Sequence, residues 1–369
     1  MSAPKTQVVH VSCPSMDYDV RVGAGILSEV GTITRESCGG GRCCVISETN
    51  VAPLYLERVS QSLAEAGYEV SSLVFEAGER SKNVRTLSWL LEGLAERGLT
   101  RDDCVVALGG GVTGDIAGLS AAMYLRGIKV VQVPTSLLAM VDSSVGGKVA
   151  IDLEAGKNLA GAFWQPRAVV ADVTCLHSLS HELLTDSCGE VIKHAVLADD
   201  ALLEELCARP LNGGDAAELD DAHLVDVVAR NVSIKRDVVN ADEQEHGVRQ
   251  TLNLGHTIGH GIEAASDFAL GHGSCVAAGL CCMLRACVAL DWTDPALAQR
   301  VERCVEAHGL PTDTQEDHQT LMSYMTHDKK RHGDSMNVVV ARGAEDVVVR
   351  RVSLDELARI VELGCGTKE

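Results

Sequence analysis

Hydrophobic and polar positions follow two different patterns along the chain. In the first half, short apolar runs such as RCCVISET, EVSSLVFEAG, DCVVALGGG and KVVQVPTS are separated by stretches with helical periodicity. The helical stretches cover residues 51–67, 81–99 and 116–127, with Ser81 as a candidate N-cap of the second. Short buried strands that alternate with helices predict an α/β protein with a parallel sheet.

Beyond about residue 180 the pattern is mostly helical. Long amphipathic stretches run through residues 180–208 and 221–242, and strand-like patterns return only in SMNVVVA and EDVVVRRVS. NGGDAAELDD is expected to form a loop between the two helical stretches. We therefore predict a parallel-sheet domain over residues 1–180 and a mostly α-helical domain over residues 181–369.

Composition and charge limit the classes of partner. The 369 residues are 46% apolar and carry a net charge of −20, which opposes binding to nucleic acid and to anionic membranes. The 14 cysteines are scattered without a CxxC motif, as expected for reduced thiols packed in a core. Because there is no signal-peptide segment and no apolar run of roughly 18 residues, we expect a cytoplasmic protein without membrane partners.

Two glycine-containing segments of the first half suit an anionic ligand. LGGGVTGD joins a strand to a helix, where backbone amides approach phosphates. It matches neither GxGxxG nor a P-loop, so a tight turn without a ligand is the alternative. The stretch from Pro134 to Pro166 places Asp142, Lys148 and Asn158 among glycines, and a solvated loop is its alternative.

The helical half contains a carboxylate and three histidines. Glu190 lies in CGEVIKHAV, His256 and His260 lie four residues apart in NLGHTIGHGIE, and His272 lies in LGHGSC. One carboxylate and two imidazoles, with a position left open, are the composition of a catalytic zinc site. HTIGH lacks the Glu of HExxH, which excludes a zincin. His260 is then a third ligand or an acid–base group, and core packing is the alternative for one of the histidines.

Basic and amide side chains recur near these histidines. Lys235, Arg249 and Asn253 precede or belong to the same segment, and THDKKRHGD adds Lys329 and Lys330. Lys235 and Arg249 are suited to anions, and the arginine fork matches a carboxylate. Taken singly, each is also explained as a solvated surface charge.

The motifs GGGVTGD, YLRG, VPTSLLAMVDSSVGGK, GKNLAGAFWQP, GEVIKH, LNLGHTIGH, GHG and HDKK follow one another between about residues 45 and 340. In this order they resemble the 3-dehydroquinate synthase family of sugar phosphate cyclases. The resemblance implies a Rossmann-like NAD-binding domain over residues 1–180. It also implies a helical zinc- and substrate-binding domain over residues 181–369, and a homodimer.

The implied activity is that of a phosphate-eliminating carbon–oxygen lyase of the shikimate pathway, which leads to chorismate and the aromatic amino acids. It converts 3-deoxy-D-arabino-heptulosonate 7-phosphate to 3-dehydroquinate and phosphate. Transient oxidation by NAD acidifies the C–H beside the new ketone, so that phosphate can leave by β-elimination. Re-reduction and an intramolecular aldol closure follow, and zinc or cobalt polarises the oxygen that is oxidised.

The resemblance also assigns residues to three groups. The implied metal ligands are Glu190, His256 and His272. The implied NAD-binding residues are Asn50, Glu79, Lys82, Gly110, Gly111, Gly114, Asp115, Thr135, Ser136 and Ser178. The implied substrate-binding and catalytic residues are Arg126, Asp142, Lys148, Lys157, Asn158, Lys193, Lys235, Arg249, Asn253, His260 and one of Lys329 and Lys330.

Other functions share parts of this pattern. A metal-dependent polyol dehydrogenase of the glycerol dehydrogenase type has the same two-domain plan but no need for a basic pocket. The cyclases that make 2-epi-5-epi-valiolone and deoxy-scyllo-inosose form products without the carboxylate that Arg249 and Asn253 suit, whereas aminodehydroquinate synthase keeps it. A catalytically inactive binding protein would be expected to lack a metal ligand or a phosphate-binding lysine, and none is lost.

Overall fold

The computed structural model describes residues 6–213, 219–266, 269–326, 331–332 and 335–366, and these form two compact units. The first unit is the described part of Met1–Ser178 with Asp220–Gln244, and the second is the described part of Leu179–Leu219 with Glu245–Glu369. The predicted α/β class is confirmed, with a largely parallel sheet in the first unit and mainly helices in the second.

The strands of the first unit carry most of the predicted apolar runs. They are β1 (Gln7–Cys13), β2 (Met16–Gly23), β3 (Arg42–Glu48), β4 (Glu69–Phe75), β5 (Cys104–Gly109), β6 (Lys129–Pro134), β7 (Lys148–Leu153), β8 (Gly156–Phe163) and β9 (Ala168–Asp172). Seven form one sheet in the order β1-β2-β9-β6-β5-β3-β4. Only β1 pairs antiparallel in this sheet, and β7 and β8 form a separate antiparallel hairpin that the pattern did not predict.

Twelve helices lie in the described part of the chain. In chain order they are α1 (Val30–Cys38), α2 (Ala52–Glu65), α3 (Val84–Glu96), α4 (Gly111–Met123), α5 (His181–Ala198), α6 (Asp200–Ala208), α7 (Asp221–Ala241), α8 (His256–Ala265), α9 (His272–Ala289), α10 (Pro295–Ala307), α11 (His318–Thr326) and α12 (Leu354–Gly364). The expected cap of α3 was wrong. Asn83, rather than Ser81, has the extended backbone of an N-cap, and its side chain accepts a hydrogen bond from the Thr86 amide.

The sheet of the first unit has a switch in strand order. From β3 the chain passes through α2 to β4 on one side, and then through α3 to β5 on the other side of β3. In open parallel sheets, ligands bind outside the carboxyl ends of the strands at such a switch. Helix α7, from the later half of the chain, packs on this unit beside β1, where the Ser12 amide donates to Asn240 Oδ1 at 2.9 Å.

The second unit is built around α8 and α9. Ile258 and Ile262 of α8 pack against Cys275, Ala278 and Cys282 of α9, all of them buried. A small antiparallel sheet of β10 (Arg331–His332), β11 (Ser335–Gly343) and β12 (Asp346–Ser353) adjoins this core, so that strands return where the sequence predicted. The expected loop NGGDAAELDD lies partly outside the described residues, because 214–218 are not described.

Helix α9 is long and apolar enough to cross a membrane by these two criteria alone. It has 18 residues, and 72% of the apolar window is buried inside the structure, as in the core helix of a globular unit. The 14 cysteines all lie in the described part of the chain and are free thiols. All but Cys207 are buried, which agrees with their predicted role as small apolar side chains.

Candidate active site

Helices α5, α8 and α9 of the second unit approach one another at glycines. A Cβ atom added at Gly189 would lie 2.0 Å from the carbonyl oxygen of Gly273, and one at Gly279 would lie 2.4 Å from that of Gly255. Backbones come this close only where neither residue needs space for a side chain. Three of these glycines are next to the predicted metal ligands in sequence, so the contacts set the spacing of those ligands.

The three predicted metal ligands meet at one point. Glu190 Oε1 lies 3.3 Å from His256 Nε2 and 3.2 Å from His272 Nε2. The potential ligand atoms of the three residues all lie within 4.8 Å of one another, and Glu190 is fully buried. The ion pair with Lys193 and the nearby His256 outweigh the effect of burial and hold the pKa of Glu190 well below its usual range. The carboxylate is therefore ionised.

The tautomer of His256 shows that this cluster fits a cation. His256 Nδ1 lies 3.2 Å from the Leu254 carbonyl oxygen, which can only accept a hydrogen bond, so Nδ1 carries the proton. Burial lowers the pKa of His256 to about 3, so the ring is neutral and Nε2 directs a lone pair at Glu190. In the described structure, neither Glu190 oxygen has a hydrogen bond of ordinary geometry. The Nε2 lone pair of His256 and the negative charge of Glu190 repel each other. A divalent metal held by Glu190, His256 and His272 would remove this repulsion.

His272 and His260 complete the cluster. His272 Nδ1 lies 3.2 Å from Glu263 Oε2. Burial alone lowers the pKa of His272, but the adjacent carboxylates of Glu190 and Glu263 outweigh this and raise the pKa to about 10. The His260 ring centroid lies 5.1 Å from that of His256 and 5.9 Å from that of His272. The structure thus brings His260 to the edge of the cluster, as the spacing of the histidines predicts.

Three predicted cationic or amide residues of the second unit lie close in sequence to the predicted metal ligands. Lys193, one turn after Glu190 on α5, is almost fully buried and pairs with Glu190 Oε2. Arg249 is fully buried in a 3-10 segment, Val248–Asn253. At the end of that segment, Asn253 Nδ2 donates to Glu245 Oε1 at 3.1 Å. Lys329 and Lys330 lie outside the described residues.

Five of the predicted NAD-binding residues of the first unit follow the carboxyl ends of neighbouring parallel strands. Asn50 follows β3, Gly110 and Gly111 follow β5, and Thr135 and Ser136 follow β6. These strands are adjacent in the sheet and include the switch between β3 and β5. Gly110 is the N-cap of α4, so the free amides of the first turn of α4 point to the same edge of the sheet.

Gly110, the N-cap of α4, and Gly114, in the first turns of α4, differ in the space that surrounds them. A Cβ atom at Gly114 would lie 2.9 Å from Gln132 Oε1, and Gln132 Nε2 donates to the Gly114 carbonyl at 3.1 Å. Glycine at this position therefore allows α4 to pack closely on β6. A Cβ atom at Gly110 would meet Ser136 Oγ at 3.4 Å, an ordinary contact distance. Gly110 therefore leaves the backbone accessible to a ligand, whereas Gly114 is required for close packing.

Lys82 is the centre of a second polar cluster in the first unit. Its Nζ lies 2.7 Å from Asp115 Oδ2, 3.8 Å from Glu79 Oε1 and 2.5 Å from Asn158 Oδ1. Burial raises the pKa of Asp115 to about 6 even though Lys82 opposes the shift. Burial likewise raises the pKa of Glu79, against Lys82 and Lys157. The cluster joins residues that the resemblance divides between NAD and substrate.

Asp142 and Lys235 are joined within the first unit although 93 residues separate them. Lys235 Nζ, on α7, donates to Asp142 Oδ1 at 2.7 Å and to the Asp142 carbonyl at 2.5 Å. Asp142 lies in a π-helical turn, Ala139–Ser143, a geometry that is frequent at functional sites. This pair fastens α7 to the first unit, a long-range contact that the pattern of the chain did not predict.

Three further predicted residues, Arg126, Lys148 and Ser178, lie elsewhere in the first unit. Arg126 is exposed and has a positive φ of 67°. Lys148 is exposed at the start of β7. Asn158, on β8, contacts Lys82 through its side chain, and its backbone amide donates to Asp152 Oδ1 at 2.8 Å. Ser178 Oγ accepts a hydrogen bond from the Tyr55 hydroxyl at 2.7 Å.

Comparison with known proteins decides the family. The N-terminal 3-dehydroquinate synthase model matches residues 72–186, and the C-terminal model matches residues 187–331. The chain belongs to the 3-dehydroquinate synthase family. It is 38% identical to the 3-dehydroquinate synthase of Citrifermentans bemidjiense, over 98% of this chain and 99% of that protein. It is 36% identical to that of Clostridium kluyveri, over 95% and 97%. The resemblance seen in the motifs is therefore confirmed.

Solved structures share the fold. A 2-deoxy-scyllo-inosose synthase, crystallised with carbaglucose-6-phosphate, NAD+ and Co2+, superposes with a TM-score of 0.86 at 23% identity, over 97% of this chain and 100% of that one. The 2-epi-5-epi-valiolone synthase of Streptomyces hygroscopicus, with NAD+ and Zn2+ bound, gives 0.83 at 23% identity, over 95% and 98%. A probable glycerol dehydrogenase from Sinorhizobium meliloti gives 0.65 at 17% identity, over 92% and 94%.

Several polar residues of this family member were missed by sequence reasoning. Asp186, on α5, accepts hydrogen bonds from the Gly273 amide at 3.2 Å and from the Ser274 amide and hydroxyl at 2.8 Å. It thereby caps α9 immediately after His272. Asp186 lies one helical turn before Glu190, a spacing visible in the sequence. Glu263, Glu245 and Asp152 were missed as well.

Proposed function

We propose that this protein is a 3-dehydroquinate synthase, which converts 3-deoxy-D-arabino-heptulosonate 7-phosphate to 3-dehydroquinate and phosphate. The observation that carries the proposal is the cluster of Glu190, His256 and His272, with the buried Lys193 beside it. It occurs in a chain whose curated relatives bear this name over nearly their whole length. Zinc or cobalt and NAD are the cofactors.

The metal ion would be held by Glu190, His256 and His272. When bound, it supplies Lewis-acid polarisation of the substrate oxygen that is oxidised. The chain prepares the ligands before the metal arrives. Lys193 helps to keep Glu190 ionised, and the Leu254 carbonyl fixes the tautomer of His256 so that Nε2 faces the cluster. His260, at the edge of the cluster, is proposed to contact the substrate.

NAD would be held at the strand ends of the first unit by Asn50, Glu79, Lys82, Gly110, Gly111, Gly114, Asp115, Thr135, Ser136 and Ser178. When bound, NAD would supply the hydride acceptor for the transient oxidation and the hydride donor for the re-reduction. The switch in strand order and the N-terminus of α4 support this placement, because a pyrophosphate is stabilised by free backbone amides. The two structurally similar cyclases contain NAD+ together with Co2+ or Zn2+.

The substrate offers a phosphate at one end and a carboxylate at the other. We assign the phosphate and its departure to Arg126, Lys148, Lys157, Asn158 and His260. We assign the carboxylate and hydroxyls to Asp142, Lys193, Lys235, Arg249 and Asn253, with one of Lys329 and Lys330. The guanidinium of Arg249 supports this division, because it is fully buried and permanently charged, which suits a carboxylate. The departing phosphate can itself accept the proton, so no protein base is required.

We further propose how the chain is organised in the cell. Residues 1–180, joined by α7, serve as the NAD-binding domain, and residues 181–369 otherwise serve as the metal- and substrate-binding domain. The protein is proposed to be a cytoplasmic homodimer with no nucleic-acid or membrane partner. The net charge of −20 supports the last point.

The test is phosphate release from 3-deoxy-D-arabino-heptulosonate 7-phosphate by protein loaded with metal and NAD. Dehydroquinase added to the assay identifies the product, and a chelator tests the need for metal. Release that is lost on chelation, with dehydroquinate formed, is the expected result. Parallel assays with sedoheptulose 7-phosphate, with the aminated heptulosonate and with glycerol test the alternatives. Turnover of one of these, without release from the first substrate, would overturn the proposal.

A further inference from the structure

Helix α8 presents three polar side chains on one face. His256, His260 and Glu263 lie at positions i, i+4 and i+7, which share a face of a helix. Two of them are accounted for by the metal cluster and the substrate. Glu263, only 6% exposed, has no part in the assignments made so far. Burying a carboxylate costs free energy unless a hydrogen-bond donor or a positive charge pairs with it.

One partner of Glu263 is His272. Glu263 Oε2 lies 3.2 Å from His272 Nδ1, while His272 Nε2 lies 3.2 Å from Glu190 Oε1. The ring therefore has a carboxylate at each nitrogen. His256 is held differently, because its Nδ1 contacts the Leu254 carbonyl of its own chain segment and its side chain is 11% exposed. The side chain of His272 is 32% exposed at the first residue of α9, so packing restrains it less.

We propose that Glu263 is a positioning residue of the metal site. It accepts a hydrogen bond from His272 Nδ1–H, so that the Nε2 lone pair is directed at the metal position shared with Glu190 and His256. A carboxylate on the outer nitrogen also makes the imidazole a stronger ligand, because it stabilises the positive charge that the ring gains on binding. The proposal rests on the proposed function only in that His272 is taken as a metal ligand.

A different role for Glu263 is compatible with its neighbours. The potential ligand atoms of His260, Glu263 and His272 also lie within 4.8 Å of one another, so Glu263 is a possible ligand of a second ion. If His272 bound one ion at each ring nitrogen, the ring would have to lose both of its protons and bridge the two ions. With Nε2 toward Glu190 and Nδ1 toward Glu263, binding one metal requires the loss of the Nε2 proton only, which favours positioning.

The experiment compares Co2+ binding by the full-length wild type, Glu263→Gln, Glu263→Ala and the control Glu302→Gln. Glu302 pairs with Arg285 of α9 at 3.0 Å, so the control removes one carboxylate that contacts the same helix. Affinity is measured by competition with a chromophoric chelator, the ligand field by the visible absorption of Co2+, and folding by thermal unfolding of the metal-free proteins. We expect Glu263→Ala to weaken Co2+ binding about 10- to 100-fold with an altered spectrum. Glu263→Gln, whose amide oxygen still accepts a hydrogen bond, should lose less, and the control should match the wild type.

Three results would overturn the proposal. One is wild-type affinity and spectrum in both Glu263 variants. Another is two Co2+ ions per wild-type chain that fall to one in the variants, which would make Glu263 a ligand. The third is failure of both Glu263 variants to fold while the control folds, which would assign Glu263 to packing. If the wild type binds Co2+ but releases no phosphate, the proposed function fails and the comparison of affinities still stands.

Discussion

The two units prepare their candidate ligand sites by different means. In the first unit, Asn50, Gly110 and Ser136 follow neighbouring parallel strands, and the sheet collects them at one edge. In the second unit, Glu190 and His272 come from separate helices held together at a Gly–Gly contact, and they meet His256 in one cluster. The first arrangement depends on the order of the strands in the sheet. The second depends on glycines that let two helix backbones come into direct contact.

Because of this difference, a substitution in the first unit is expected to change ligand binding alone, whereas one in the second unit is expected to change both ligand binding and stability. A small change at a strand end leaves the sheet intact and alters only what the backbone can approach. A small change at a helix contact of the second unit moves helices and the ligands they carry at the same time. Substitutions chosen in each region can therefore test whether the two sites fail independently.

The largest effect is expected from Glu190→Gln, which removes the ligand charge in the second unit. Phosphate release should fall by at least about 1,000-fold, because metal charge stabilisation contributes several kcal/mol to the transition state. Metal content should fall while NAD affinity stays at the wild-type value. Atomic absorption, phosphate release and NAD titration measure the three quantities. Glu182→Gln, on the exposed first turn of the same helix, is the control. Full activity and metal content in Glu190→Gln would contradict the assignment.

The next effect is expected from Gly189→Ala. The added methyl group would lie 2.0 Å from a backbone oxygen of Gly273, so α5 and α9 must separate. We expect the free energy of unfolding to fall by about 3 kcal/mol, at the upper end for overpacking, and metal affinity to fall with it. Urea denaturation and metal titration measure these changes. Gly343→Ala, where nothing lies within 4 Å of the added carbon, is the control in the same unit. Equal stability of the two variants would show that the helix contact is not needed.

A smaller and more selective effect is expected from Gly110→Ala in the first unit. The nearest atom to the added carbon is Ser136 Oγ at 3.4 Å, and the backbone φ of −75° is open to alanine, so the fold should be retained. The dissociation constant for NAD should rise roughly tenfold, equivalent to about 1.4 kcal/mol, because the methyl group blocks the approach of the pyrophosphate. Metal affinity should be unchanged. Isothermal titration of NAD and metal tests this, with Gly41→Ala as the control. A parallel loss of metal would mean that the sites are not independent.

The smallest effect concerns the pH dependence of stability through Asp115. Burial raises the pKa of Asp115 from 3.8 to about 6, so the folded state holds this proton more tightly than the unfolded state. The resulting contribution to stability is fully present below the unfolded pKa and is lost as the pH rises through the folded pKa. Between about pH 5 and pH 7, the free energy of unfolding of the wild type should fall by about 1 kcal/mol relative to Asp115→Asn. Urea denaturation at both pH values measures it, and a difference that is the same at both would refute the shift.

Sequence periodicity predicted the elements better than their partners. The apolar runs at β3 to β6 and the long helices were found because burial imposes a period on the sequence. The hairpin of β7 and β8 was missed because β8 contains two glycines and no buried side chain, while β7 buries only Val149 and Ile151, so neither strand forms a long apolar run. Helix α7 was grouped with its neighbours in sequence. Its packing beside β1, and the contact of Lys235 with Asp142, depend on long-range contacts that the pattern does not encode.

The sequence by itself determined the fold class, the family and the residue types of the candidate sites, because motif order and hydrophobic period are local properties of a chain. Only the tertiary structure brought Glu190, His256 and His272 together, gave His272 its contact with Glu263, and made Asp186 the cap of α9. These contacts join residues of different helices, and they depend on small clearances between the helix backbones. Such clearances follow from how three helices pack at their glycines, and no periodicity in the chain reports them.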